Sequence, residues 1–231
     1  VVPRKALGIW GIRLMRIITW NCNGEFDIDQ FGDFDLFFVQ RMCHSMAFTL
    51  PYAWNYVENY PNRGLGIISK ERQLDHNCEY GRFSWYKEGA DNTQGKYWQT
   101  LTTNMNTSSG LIPIRFINAL PSYPEEDGSI TDENRISQTS ELLNLVDYNS
   151  VLIGDFHSRD DQLEDEISLE KRSLTNHITE GTFTCDNGFI DSIDKIITTK
   201  ISPIKISNVS VVKYDRDDPI GHWPIAFELE I

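Results

Sequence analysis

Nine short runs of β-branched and aromatic residues, spread over the whole chain and bounded by Gly, Pro, Asn and Asp, constrain this sequence more than any other feature. They predict strands at Arg16–Trp20, Asp35–Gln40, Leu65–Ser69, Tyr97–Asn104, Ile114–Asn118, Ser150–Gly154, Lys195–Thr199, Ile206–Lys213 and Pro224–Leu229. DLFFV and SVLIG are almost continuously apolar, as strands are when a sheet is covered on both faces. Helical patterns are fewer. Ile136, Leu142, Leu143 and Val146 share a face over Thr131–Tyr148, with Thr131 or Asp132 able to cap its start. Asp160–His177 is a second helix candidate, acidic at its start and basic later, and a weaker one follows Gly24. Strands interleaved with helices, some neighbours antiparallel, predict an α/β sandwich, not a doubly wound sheet. Neither G-x-G-x-x-G nor a P-loop occurs.

A chain of 231 residues can bury a large core without staples. Residues 15–231 read as one domain, and residues 1–14, with Arg4, Lys5 and Arg13 around a short apolar stretch, read as an N-terminal extension. Mean hydropathy is -0.39, with no run long enough to span a bilayer, so no membrane association is expected. Cys22, Cys43, Cys78 and Cys185 lie far apart and form no C-x-x-C pair, which argues against structural zinc and favours a reducing cytoplasm. With 34 acidic against 21 basic side chains, the net charge of -13 repels polyanions at long range and gives no counterion-release advantage on duplex DNA.

Four segments carry candidate chemistry. ITWNCNG ends an apolar strand in Asn21, Asn23 and Gly24, amides suited to a hydrated metal or a phosphate, or to a simple Asn-Gly turn. VLIGDFHSR delivers Asp155 to a strand end, where a carboxylate can bind metal, activate water or cap a turn. FIDSIDKIITT places Asp191 and Asp194 at a strand start, and PIGHWPIAFEL presents His222 just before the last strand. An Asp–His pair is a recurring acid–base device, although spacing alone does not bring Asp194 to His222.

In this order, and together with RGLGIISK and FINALPSY, these segments resemble the endonuclease/exonuclease/phosphatase family, and TWNCN and ENYPNRGLGIISK resemble its short bacterial members. The resemblance implies a DNase I-like four-layer α/β sandwich with two mixed β-sheets flanked by helices. It also implies a divalent-metal-dependent phosphoester hydrolase, nuclease or phosphatase, using Mg2+ or Mn2+ on nucleic acid or a phosphorylated small molecule. On that pattern Asp155 activates water, Asp194 supports His222, and His222 stabilises phosphate charge. Asn23 belongs to the catalytic group, Asn21 lies near metal and phosphate, and Gln40 matches the Gln of a Gln–Glu pair.

Four positions depart from the pattern. Arg41 stands where the metal-binding Glu would be, His157 replaces an Asn, Gly221 replaces an Asp, and Ala119 replaces a polar His or Tyr. A guanidinium repels a cation and cannot ligate one. Three outcomes stay open for Arg41: a salt bridge to Asp155, a metal-free anion pocket formed with Asn21 and His157, or a metal site rebuilt from Glu25, His44, Glu58 or His157. The chain is therefore expected to be either a hydrolase of reduced activity or a catalytically inactive module that binds an anionic group or a protein partner and needs no cofactor. The tryptophans read as packing more readily than as base-stacking platforms.

Overall fold

The computed structural model describes residues 14–22, 24–60, 62–70, 77–85, 96–107, 110–124, 128, 130–185, 188, 190–213 and 221–231. Residues 1–13 and Asn23 therefore lie outside the described residues. Strands β1 (Met15–Asn21), β2 (Leu36–Cys43), β3 (Ala53–Tyr60) and β4 (Arg63–Ser69) start one sheet, and β5 (Cys78–Arg82), β6 (Tyr97–Thr107), β7 (Gly110–Ala119), β8 (Ser150–Asp155) and β9 (Leu174–Asn176) start another. The chain continues through β10 (Phe183–Thr184), β11 (Ile190–Asp191), β12 (Asp194–Thr199), β13 (Lys205–Val211), β14 (Gly221–His222) and β15 (Ile225–Glu230). The first sheet runs β13-β15-β1-β2-β4-β3 and the second β5-β6-β7-β8-β12-β9, six strands each, with β11-β10-β14 as a small third sheet. Both large sheets are mixed, because β1–β2 and β7–β8 are parallel while their other pairings are antiparallel.

The apolar runs are continuous because both faces of each sheet are covered. Successive side chains point to opposite faces. Ile17, Phe38, Ile67 and Phe227 of the first sheet meet Phe116, Val151, Ile153 and Ile196 of the second in a central core. Their sequence neighbours Ile18, Phe37, Val39 and Ile68 face outward against Ile28, Phe31 and Met46. On the far side, Ile117, Leu152 and Ile197 pack under Leu142, Leu143 and Leu163. These last three come from α2 (Asp132–Asn144) and α3 (Asp160–Ile167), while the short α1 (His44–Ala47) flanks the first sheet. The result is the four-layer α/β sandwich that the sequence predicts.

Three local expectations need correction. The helix expected over Thr131–Tyr148 starts on the Thr131 capping box but stops at Asn144. The one expected over Asp160–His177 ends at Ile167, where Ser168 turns left-handed at φ 57, and Leu174–Asn176 joins the sheet beside β12 instead. The stretch after Gly24 forms only a single 3-10 turn, Ile28–Phe31. β3 has no counterpart among the predicted strands, since AWNYVENY alternates polar and aromatic residues without a buried apolar run.

A chain of amides crosses the central core. Asn118 on β7 accepts from Gln40 Nε2 at 2.7 Å and donates to the Val39 and Gly66 carbonyls at 3.2 and 3.1 Å. Gln40 also donates to Thr19 Oγ1 at 3.2 Å, and Gln99 donates to Asn55 Oδ1 at 2.5 Å. Gln40, which the family resemblance sets beside a metal ligand, thus serves as a tie between the sheets. Asn118→Leu keeps the branched shape but strands these groups in an apolar layer, and should cost about 1–3 kcal/mol for each main partner left unpaired. Urea unfolding measures it, with Phe48→Ala as a control because that ring is 67% exposed. Equal stability of the two variants would show that the tie contributes nothing.

Candidate functional site

Asn21 ends β1 and Asp155 ends β8, so one strand from each large sheet delivers a polar side chain to the same end of the sandwich. Gly154 makes this possible, since a Cβ there would sit 2.0 Å from the Ala119 carbonyl oxygen. Asp194 opens β12 directly opposite Asp155 in the antiparallel register. His222 arrives on β14, paired with Phe183, and is held by the Trp20 indole, which donates to the His222 carbonyl at 3.0 Å. Thr182 Oγ1 fixes the β12 start by accepting from the Ile193 and Asp194 amides at 3.3 and 3.2 Å.

These residues form a buried chain of contacts. The Asp194 carboxylate lies 3.0 Å from His222 Nδ1, and His222 Nε2 faces Asp155 Oδ2 at 3.4 Å and the Asn21 amide nitrogen at 3.2 Å. Asn21 Nδ2 donates to Asp155 Oδ2 at 2.9 Å. His157 adds two more contacts: its backbone N–H donates to Asp155 Oδ1 at 2.8 Å, and its Nδ1 lies 3.2 Å from Oδ2. Asp155 is fully buried, with three donor-type groups around Oδ2, more than its two lone pairs can serve, and one on Oδ1.

Arg41 follows Gln40 at a bulge in β2, where the register with β4 shifts between Val39 and Met42. Arg41 and His157 have φ of 56 and 50, both left-handed, which costs an L side chain about 1–2 kcal/mol each. Two of the four departures from the family pattern are therefore also backbone-strained. Arg41, His157 and His222 line one cleft of about 570 Å3 with Tyr123, Arg159 and Phe183. Among the described residues the ionic partners of Asp155 are His157 and His222, so of the three outcomes open for Arg41 the salt bridge to Asp155 is not formed.

Burial and charge set the protonation states. Desolvation works to raise the Asp155 pKa, but His157 and His222, with the hydrogen bonds from His157 N–H and Asn21, hold it below the usual carboxylate range. Desolvation raises that of Asp194 despite His222. For His222, the two carboxylates outweigh desolvation and push the imidazole pKa up. His157 goes the other way, down to about 4, through desolvation first and then Arg41, His222 and Arg135, which together outweigh Asp155. The neutral His157 ring keeps its proton on Nδ1, toward Asp155, and leaves Nε2 as an acceptor; that buried nitrogen has no partner, and neither do Arg41 Nε and Asn21 Oδ1.

By sequence, no family model and no curated protein matches the chain. By shape, it is similar to an endonuclease/exonuclease/phosphatase family protein of Leptotrichia buccalis, with a TM-score of 0.67 at 13% identity over 94% of this chain and 100% of that one. A mannosyl-6-phosphatase of Bacteroides thetaiotaomicron gives 0.59 at 16% identity, over 93% and 99%. The endonuclease domain of TRAS1, a telomere-specific non-LTR retrotransposon, gives 0.58 at 14%, over 94% and 98%. This chain has the endonuclease/exonuclease/phosphatase fold. Within that fold, the sequence-predicted Asn21, Arg41, Asp155, His157, Asp194 and His222 all fall at one end, and Asn23 lies outside the described residues.

The endonuclease/exonuclease/phosphatase fold implies a divalent cation, and the residues here fit one poorly. Asp155, Asp194 and His222 do bring ligand atoms within 4.8 Å of one another. Yet both ring nitrogens of His222 already face carboxylates, Asp155 has its four neighbours, and a guanidinium lines the cleft. Magnesium and manganese sites want several free oxygen donors. The other rebuilding candidates stand elsewhere: Glu25 lines a separate hollow, His44 stacks on Tyr56 at 5.2 Å, and Glu58 acts electrostatically on Tyr56. Sequence reasoning missed Tyr123, Gln162 and Phe183 as cleft residues, and Arg135, a buried cation that bonds Ser158 Oγ beneath the His157 turn. Only Arg159, inside the Asp155 motif, carried a signal.

The His157 shift has a signed consequence. Between pH 6.5 and about 4 the unfolded chain binds more protons at this residue than the folded one. Its contribution to stability is complete above pH 6.5 and is lost as pH falls through that window. His157→Asn removes the titration and tolerates φ near 50. Thermal unfolding from pH 6.5 down to 4 should therefore fall less steeply in the variant, and identical slopes would contradict the assignment.

Proposed function

We propose that this chain recognises a phosphorylated small molecule in the cleft of Arg41, Arg159 and His222, with little or no metal-dependent hydrolysis. The observation that carries the proposal is the pairing of a cleft lined by Arg41 and Arg159, with Asp191 beside them, and an Asp155 whose Oδ2 is crowded by Asn21, His157 and His222. Guanidinium groups match phosphate oxygens by paired, charge-assisted hydrogen bonds. His222, whose imidazole pKa the two carboxylates push up, adds positive charge at that end of the cleft, with its ring nitrogens turned to Asp194 and Asp155. A general base must have a free lone pair for the attacking water, and on Asp155 the crowded Oδ2 offers none, which leaves the one on Oδ1 beside the His157 N–H.

Phosphorylated sugars and nucleic acid are the two ligand classes that the names of the similar structures bring to mind, one a mannosyl-6-phosphatase and the other an endonuclease domain. The net charge of -13 favours the small ligand, since a polyanion would be repelled along its whole length. Among the described residues no helix is long and apolar enough to cross a membrane, and none of the four cysteines forms a disulfide. The four free cysteines favour a reducing compartment, and we propose the cytoplasm, with residues 15–231 as one domain. Hydrolysis is the second reading, favoured by the Asp194–His222 pair at 3.0 Å.

Calorimetric titration with glucose 6-phosphate, and phosphate release from the same compound with Mg2+ or Mn2+ present, separate the two readings. Binding should be measurable and weakened at least tenfold in Arg159→Ala together with His222→Ala, with release no faster than in His222→Ala alone. His222-dependent release above that background would establish the hydrolase reading. Absence of binding to any phosphate ester would remove both.

A further inference from the structure

We infer that Arg41 is a built-in replacement for a divalent cation, so that the cleft takes a phosphate monoester directly and without metal. The inference rests on the phosphoester reading above and specifies how that site neutralises its ligand. Three observations converge on it. Arg41 lines the cleft, and its Nε is buried without a hydrogen-bond partner, so a donor of fixed charge is held ready beside His157 and His222. It is held there at φ 56, in a bulge, where glycine would fit the backbone better. Strain of this kind persists only where the surroundings impose it, and it gathers at ligand sites. Finally, Asp155 Oδ2 and the Asp194 carboxylate, which would have to ligate a cation, already face imidazole and amide groups, while a positive charge is already supplied.

His157 sharpens the ligand class. Its Nδ1 faces Asp155 and its Nε2 is a buried acceptor with no partner. Asn21 Oδ1 is a second such acceptor at the same end of the sandwich. A ligand that satisfies this set must bring anionic oxygens for Arg41 and a hydroxyl for His157 or Asn21. A phosphate monoester does both, because its second ionisation lies at roughly pH 6 and its protonated form carries a P–OH. A simple diester has no such hydroxyl on phosphorus.

The test is calorimetric titration of the full chain with inorganic phosphate in EDTA, repeated with Mn2+ in place of EDTA, for the native protein, Arg41→Gly and Arg41→Glu. Native protein should bind phosphate equally in both buffers, and dimethyl phosphate more weakly than inorganic phosphate. Arg41→Gly should bind phosphate about 10- to 100-fold more weakly, the loss of a charged hydrogen-bond partner, while its melting temperature holds or rises because glycine accepts the left-handed φ. Arg41→Glu should lose binding in EDTA and acquire affinity for Mn2+. Should that variant fail to fold, Arg41→Gly carries the test alone. Phosphate binding by native protein only in the presence of Mn2+, or native-like binding by Arg41→Gly in EDTA, overturns the inference and leaves the phosphoester reading standing. No phosphate binding in either buffer ends both.

Discussion

The amide tie through Asn118 is the interaction on which the site depends. Apolar layers between two sheets slide at small cost, because one aliphatic contact resembles the next. Amides buried in such a layer do not, since each one moved out of register forfeits its hydrogen bonds and keeps its desolvation cost. Asn118 on β7 grips Gln40 and the backbone of β2 and β4 at once. β7 pairs with β8, and β2 with β1. Fixing β7 against β2 therefore fixes the end of β8 against the end of β1, which is where Asp155 meets Asn21. Two side chains 134 positions apart in sequence come within 2.9 Å because a different pair of residues, deeper in the core, holds the sheets in step.

From that junction the chemistry is decided by how many groups share one carboxylate. An aspartate at the edge of a metal site needs an oxygen free. Here the turn after β8 bends left-handed at His157, which brings both its backbone N–H and its imidazole back onto Asp155. The ring cannot be charged there at low cost, given desolvation and the nearby Arg41 and Arg135, so it stays neutral and serves as a hydrogen-bonding wall. Arg41 and His157 form a matched pair of departures: the first brings a positive charge, and the second occupies the carboxylate that would otherwise have attracted either a metal or that charge. This explains why Arg41 faces the cleft without bonding to Asp155.

Most of the fold was legible because both faces of both large sheets are buried. DLFFV and SVLIG have an apolar requirement at nearly every position, which marks them as central strands. Legibility fails where burial is one-sided or local. β3 hid in AWNYVENY because its residues are only half-buried. The tail of the expected Asp160–His177 helix failed because an acidic start and a basic end describe charge preference, and charge does not outweigh a left-handed Ser168 followed by strand pairing. In the site, Asn21, Asp155, Asp194 and His222 were readable from strand-end motifs, and Arg41 from its place after Gln40. The crowding of Asp155 Oδ2, the neutrality of His157 and the support from Arg135 were not, because each arises from burial and from contacts that the sequence does not show.

The overall charge is negative, whereas Arg41 and Arg159 bring guanidinium groups to the cleft, and on the proposed function that contrast has selective value. At physiological ionic strength a field decays over about 8 Å, so the surface excess of 34 acidic over 21 basic groups acts on a ligand in proportion to how far that ligand extends along the surface. A nucleic acid meets that field at every phosphate. A small ester meets it only during approach, and once inside it faces Arg41, Arg159 and the imidazolium of His222 at short range and lower dielectric, where each charge counts for more. On the proposed function, an acidic exterior around Arg41 and Arg159 acts as a size filter built from electrostatics, admitting one phosphate and resisting many in a row.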